Sequence, residues 1–163
     1  MSKILWADQY QLIRNGANTY DLTGSGTAAA LITDMVKGNK KFVQGSCGLD
    51  VLVGYGVKPA WNGSFNMSNS DSDSLSFNVN GGTILDDGRL TVITGNEVKN
   101  YSMQVNGVDF TPKPISWKMI EGRLVGPGGG QKPTGAVGQF QFGHGTEAVV
   151  NGGFGTDLVD APH

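Results

Sequence analysis

Cysteine, charge and long apolar runs are all scarce in this sequence, and each scarcity removes a class of protein. One cysteine, Cys47, stands among 163 residues, so neither an internal disulfide nor a cysteine knuckle for zinc can form. A lone thiol of this kind belongs in the core as a small apolar side chain. Charged residues make up 16% of the chain, against about a quarter in an ordinary soluble protein. The 12 basic and 14 acidic residues leave a net charge of −2, and apart from Lys40-Lys41 the basic ones are scattered. The basic stripe of a nucleic-acid binder is missing, and no nucleic-acid partner is expected. No apolar run approaches the roughly 18 residues of a membrane-crossing helix, so no membrane-spanning segment is expected either. The N-terminus, Met1-Ser-Lys-Ile-Leu-Trp-Ala-Asp8, lacks the apolar stretch of a secretory signal. Taken alone, that start places the chain in the cytoplasm or makes it part of a longer protein. No Ser/His/Asp, Cys/His or metal-ligating group stands at a useful spacing. The expectation is a protein that is not an enzyme, with no catalytic residue, no metal site and no cofactor.

Glycine is abundant, at 26 residues, about double the usual share. The hydrophobic fraction of 38% with well-spread aromatics opposes global disorder. A chain of 163 residues fits a single domain spanning 1–163, which can bury roughly two-thirds of its unfolded surface.

Apolar residues recur at every second position along most of the chain. Leu49, Val51, Val53, Tyr55 and Val57 alternate, then Trp61, Phe65 and Met67 after a turn at Lys58-Pro59, then Leu75, Phe77 and Val79 after the polar tip 68–74. This is the period of half-buried strands. Asn80-Gly81-Gly82, Asp87-Gly88 and Asn106-Gly107 supply turn chemistry between such runs, and Asp-Gly and Asn-Gly are strong hairpin signals. Residues 115–121 read as a strand or one helical turn, and 126–133 as a flexible loop. Residues 3–22 read as a hairpin, or as a short helix followed by a strand. Residues 27–37 carry good helix propensity, with Leu31, Ile32, Met35 and Val36 at helical spacing and Gly38 as a possible cap. A strand followed by a turn over Asp34 to Asn39 competes with that reading. At the C-terminal end, residues 135–154 read as a closing hairpin with Phe140 and Phe142 in one arm and Val149, Val150 and Phe154 in the other.

Strands at intervals of about eight to twelve residues imply an antiparallel sandwich or barrel. The fold class expected is all-β, an up-and-down antiparallel barrel of about eight strands, with at most one short helix near residues 27–37. A barrel of that size fills its interior with side chains or holds one small ligand.

Gly138-Gln-Phe140 through Gly143, Glu147-Ala148 and Gly152-Gly153-Phe154 resemble the C-terminal signature of the transferrin-binding-protein-B-like β-barrel family. The alternating strands before them, Cys47 to Val57 and Gly63 to Met67, are similar as well, so the resemblance covers residues 42–158. It implies a non-catalytic, extracytoplasmic barrel, periplasmic or on the cell surface, that recognises a protein partner or a small ligand. It also implies a possible link to iron or haem acquisition or signalling. The competing reading is a structural C-terminal domain of a larger protein with no ligand of its own. Composition leaves monomer and homo-oligomer both open.

Four residues stand out as ligand-binding candidates: His144, Trp61, Tyr101 and Trp117. A histidine between two glycines is either an exposed, mobile side chain or an axial ligand for haem or a metal. The tryptophans and tyrosines are core or rim aromatics, or they line a ligand pocket. Asp71, Asp73, Asp86 and Asp87 lack the spacing of a calcium loop and read as solvated. Glu147 and Asp157 have no nucleophile beside them, and residues 126–130 are not a phosphate loop because no Gly-Lys-Ser or Gly-Lys-Thr follows. If there is a contact region, His144 and the 126–133 loop are expected to form it.

Overall fold

The computed structural model describes residues 2–162. Strand β1 (Lys3–Ile4) and helix α1 (Ala7–Arg14) lead into the long strands β2 (Thr19–Asp34) and β3 (Asn39–Gly54). There follow β4 (Ala60–Ser68), β5 (Ser74–Ile84), β6 (Arg89–Thr91), β7 (Val98–Val105) and β8 (Val108–Asp109). The chain ends with β9 (Trp117–Gly126), β10 (Gly135–His144), β11 (Ala148–Asp157) and β12 (Val159–Asp160). Strands β9, β10, β11, β2, β3, β4 and β5 lie side by side, and β6 bonds to both β5 and β9. This closes an eight-stranded antiparallel barrel. β7 continues the line of β6 along β5.

The period-two pattern decides what lies inside. Ala28, Ala30 and Ile32 of β2, Val43, Cys47, Leu49, Val51 and Val53 of β3, and Phe65 and Met67 of β4 are all buried. Alternation continues through Leu75, Phe77 and Val79 of β5 and through Ala136, Phe140 and Phe142 of β10. The aromatic rings meet at the barrel axis. Phe65 stacks on Phe77 at 4.6 Å between centroids, Phe77 meets Phe142 edge-on at 4.9 Å, and Phe154 meets Phe65 at 5.1 Å. Each such ring contributes about 1.5–3 kcal/mol through burial. The interior is filled with side chains. Outside, β2 to β4 present Ser25, Thr27, Gln44, Ser46, Asn66 and Ser68 as exposed residues, so this wall faces water.

The Gly-x-Phe spacing of the C-terminal hairpin has a packing explanation. Phe140 pairs across the ladder with Gly152, and Phe154 pairs with Gly138. A Cβ on either glycine would overlap its partner's ring, so each ring lies flat over the space its opposite number leaves. Trp61 covers Gly82 and Trp117 covers Gly143 in the same way. Rings that cover cross-strand glycines restore the packing that glycine would otherwise remove from a strand. At Gly24 the constraint is backbone on backbone, because a Cβ there would run into the Asp157 carbonyl.

Several expectations need correction. Residues 27–34 belong to β2 and a turn follows Asp34, as the competing reading of that stretch has it. The helix is α1, at residues 7–14, within the segment read as a hairpin or as a short helix followed by a strand. β2 is bonded on both sides, to β3 and β11, and those ladders outweigh a propensity difference of a few tenths of a kcal/mol per residue. Gly38, with φ +74°, closes the β2–β3 turn and caps no helix. Asn80-Gly81-Gly82 is no turn either. It lies within β5, where Trp61 pairs with Gly82 but Gly63 pairs with Val79. Gly81, at φ +69°, takes up the bulge. Tyr55 falls beyond the end of β3 and is 64% exposed.

Helix α1 shuts one end of the barrel. Leu5, Tyr10 and Ile13 point into the core, and Tyr10 presses on Gly88, where a Cβ would sit 2.9 Å from the tyrosine ring. Gln9 accepts a bond from Gly129 N at 2.7 Å, and Gln11 donates to the Asp86 carbonyl. The turns 34–39, 69–73, 105–108 and 144–147 lie at the opposite end.

Candidate functional site

β10 carries inward residues at 136, 138, 140 and 142, and the same parity aims His144 into the barrel mouth. The ring is 3% exposed, which corrects the expectation of a mobile side chain between glycines. Pro114 offers only a carbonyl, so His144 Nδ1 donates to it at 3.1 Å. Nε2 is then the acceptor, and the Tyr101 hydroxyl donates to it at 2.8 Å. The Met103 sulfur, 3.5 Å from the same hydroxyl, is the weaker alternative. Burial pushes the His144 pKa down, against smaller upward pulls from the Pro114 carbonyl and Glu147. Burial likewise raises the Tyr101 phenol. The neutral imidazole therefore has both nitrogens engaged, and a metal or haem iron at Nε2 would have to displace Tyr101.

Residues 110–116 cross this end as a strap. The Phe110 ring meets His144 edge-on at 5.3 Å, and Lys113 lies 5.0 Å above the Phe110 ring. Lys113 also pairs with Glu147 at 2.8 Å. The Ser116 hydroxyl donates to the Gly143 carbonyl and accepts from Gly145 N, both at 3.0 Å. Between strap and turn lies an open concavity of about 360 Å³ lined by Lys113, Pro114, Ser116, His144 and Glu147. It is shallow and mixed in polarity.

Beside the strap, a polar net ties three turns together. Asp34 is 2% exposed, and its Oδ1 accepts from Val36 N and Lys37 N, each at 3.0 Å. Its Oδ2 accepts from the Asn106 amide at 2.7 Å. Asp73, also 2% exposed, accepts from Asn106 N at 2.9 Å and from the Asn69 amide at 2.9 Å. Lys41 stands 3.6 Å from Asp73. Burial alone would raise both carboxyl pKa values. For Asp34 the Lys37 amide, the Asn106 side chain and the Val36 amide outweigh it. For Asp73 the Asn69 side chain, the Asn106 amide and Lys41 do so. Both sit below the ordinary carboxylate value. Asn106 and Gly107 have φ +52° and +76°, as a two-residue hairpin turn requires.

The structure brings two of the four candidates together. His144 and Tyr101 are bonded, and Trp117 lies on the outer face one residue away, over Gly143, at 43% exposure. Trp61 is remote, buried near the α1 end with its indole N–H donating to the Thr91 carbonyl at 3.1 Å. The expected contact region also divides, because the 126–133 loop lies at the α1 end and His144 at the other. Glu147 and Asp157 flank opposite ends of β11. Asp71 and Asp86 are exposed as expected, but Asp73 is not. Asp87 is engaged with Arg89 at 2.8 Å. Cys47 is buried, its sulfur 3.4 Å from the Thr27 carbonyl. His163, at the chain end, lies outside the described residues. Among the described residues no three His, Cys, Asp or Glu side chains gather as metal ligands, and no helix is long and apolar enough to cross a membrane. Sequence reasoning missed Asp34, Asp73 and Asn106 as a unit. The Asn106-Gly107 turn signal was visible, but the partners lie 72 and 33 residues away.

Compared with family models, with curated proteins and with solved structures, the chain matches none of them.

Proposed function

We propose that this chain is a non-catalytic interaction barrel that meets a protein partner on its outer surface. The observation that carries the reading is the filled interior. The Phe65, Phe77, Phe140, Phe142 and Phe154 rings are packed against one another at the axis, where a ligand-carrying barrel keeps a cavity. His144, with both nitrogens bonded, argues the same way against a haem or metal carrier. An extracytoplasmic location and a role beside iron or haem uptake belong to this proposal through the resemblance of residues 42–158, with the partner rather than this barrel holding the iron. The same filled interior favours a second reading, a structural domain of a longer protein with no ligand.

Native mass spectrometry beside the denatured mass tests the reading. The expected native mass is a whole multiple of the chain, and added haemin leaves both that mass and the haemin visible spectrum unchanged. A retained species of a few hundred daltons, or a haemin complex lost in His144→Gln, overturns it.

A further inference from the structure

The barrel wall is complete on one half of its closing seam and incomplete on the other. β6 is bonded to β9 only over Arg89↔Arg123 to Thr91↔Glu121. Past Thr91 the chain loops outward through residues 92–97 and returns as β7, which pairs with β5. On its other side β7 meets β8 over Gln104 and Val105, the Phe110 amide, which bonds the Met103 carbonyl, and the Thr111 hydroxyl, which accepts from Met103 N at 3.3 Å. Among the described residues no backbone hydrogen bond joins β7 to β9. Residues 98–102 and residues 117–120 therefore each have one ladder side without a strand partner. Lys118 reaches from β9 to the loop before β7, with its Nζ 3.1 Å from the Gly95 carbonyl.

Backbone donors and acceptors on two facing edges are what an added strand satisfies. We propose that the slot between β7 and β9 is a docking site for an extended peptide segment of a partner protein, bound by β-augmentation and carrying acidic side chains. The proposal rests on the reading of this chain as an interaction domain. The charge preference comes from Lys99 on one edge and Lys118 on the other, neither of which makes an ion pair among the described residues. Lysines on an open edge deter neutral strands from pairing by chance. An acidic strand turns that deterrent into attraction, with Lys118 swinging off Gly95 to meet it. Ile93, 61% exposed in the 92–97 loop that leads into β7, supplies apolar contact for an outward side chain of the incoming strand, while the Trp117 ring is turned to the other side of β9, over Gly143. Asn100, at φ +54°, interrupts the β7 edge in the middle, so the segment accommodated is short, about four or five residues of ladder on each side.

Selection of linear peptides from a random seven-residue display library on the full chain, followed by hydrogen exchange of each complex, tests this. The expected binders are rich in Asp or Glu and in β-branched residues. They slow exchange at least about tenfold over residues 98–102 and 117–120, and elsewhere little. Lys99→Glu with Lys118→Glu raises their Kd at least about tenfold, and Lys99→Gln with Lys118→Gln raises it less. Unchanged near-ultraviolet circular dichroism shows that these variants keep the fold. Failure to select any binder, a footprint elsewhere, or affinity indifferent to the lysine reversals overturns the slot. A retained small molecule in the native mass overturns the interaction reading instead, so the two failures are told apart.

Discussion

At the α1 end the barrel is shut by Leu5, Tyr10 and Ile13, each 1% exposed. At the other end it is shut by hydrogen bonds that Asn106 donates to Asp34 and Asp73, that Tyr101 donates to His144 and that His144 donates to the Pro114 carbonyl. The contrast teaches how the two closures respond to conditions. Apolar burial depends little on pH and not on the protonation of any group, whereas buried carboxylates and an imidazole hold only in one protonation state. A contiguous N-terminal segment, residues 5–13, supplies the first. The second needs residues from turns far apart in the chain.

The largest effect is expected at the α1 end. Tyr10→Ala removes the ring that seats on Gly88 and should cost about 3–5 kcal/mol in urea unfolding, with the loss the same at pH 5 and pH 7. A loss that grew on acidification would erase the distinction between the ends. Next comes the polar net. Asp34→Ala strips the acceptor from the Val36, Lys37 and Asn106 donors and should cost about 1–3 kcal/mol.

The pH dependence of the net follows from the lowered carboxyl values of Asp34 and Asp73. The unfolded chain takes up protons first, near the ordinary value of about 3.9, so this stabilisation is fully present above it and is lost as pH falls through the lower folded values. Melting curves of wild-type protein should therefore drop steeply in acid, and Asp34→Asn should show a shallower drop. Equal slopes would place the acid sensitivity elsewhere.

His144 adds a smaller, earlier phase. Its folded pKa is lowered from an unfolded value of about 6.5, so the unfolded chain binds the proton first. The stabilisation is complete above that value and declines as pH falls toward the folded one. His144→Gln should remove this decline, visible as a melting temperature that falls less than the wild type's as pH drops below about 6.5. The smallest effect belongs to Tyr10→Phe. The Tyr10 hydroxyl is buried without a bond of acceptable geometry, although Arg14 lies near enough to act on it. Its removal should change stability by less than about 0.5 kcal/mol or raise it. A clear loss would show that the α1 end also depends on a polar contact.

Much of the barrel was legible residue by residue. Phe65, Phe77, Phe140 and Phe142 occupy the inward positions their alternation assigns, and the Asp87-Gly88 and Asn106-Gly107 turns join the strands beside them. Residues 27–37 were ambiguous because Ala, Leu and Met suit a helix locally, and only the ladders to β3 and β11 decide for strand. The candidate site was less legible. His144 stood out by type, yet its burial follows from Phe110, Pro114 and Tyr101, which lie 30 or more residues away in sequence or on the strap. Asp73 reads as one of several loop acids until Asn106 is placed against it.

By itself, the sequence determined a non-helical architecture, the period that sorts side chains between core and water, and the Gly-x-Phe spacing that sets rings over glycines. These are local, because a strand's alternation and a ring's reach to its cross-strand partner depend on neighbours and register alone. Tertiary structure decided which turns meet at the His144 end, how Asp34 and Asp73 come to share Asn106, and where β7 leaves β9 unpaired. Those outcomes depend on distances closed by the whole barrel, and a linear pattern carries period but not distance.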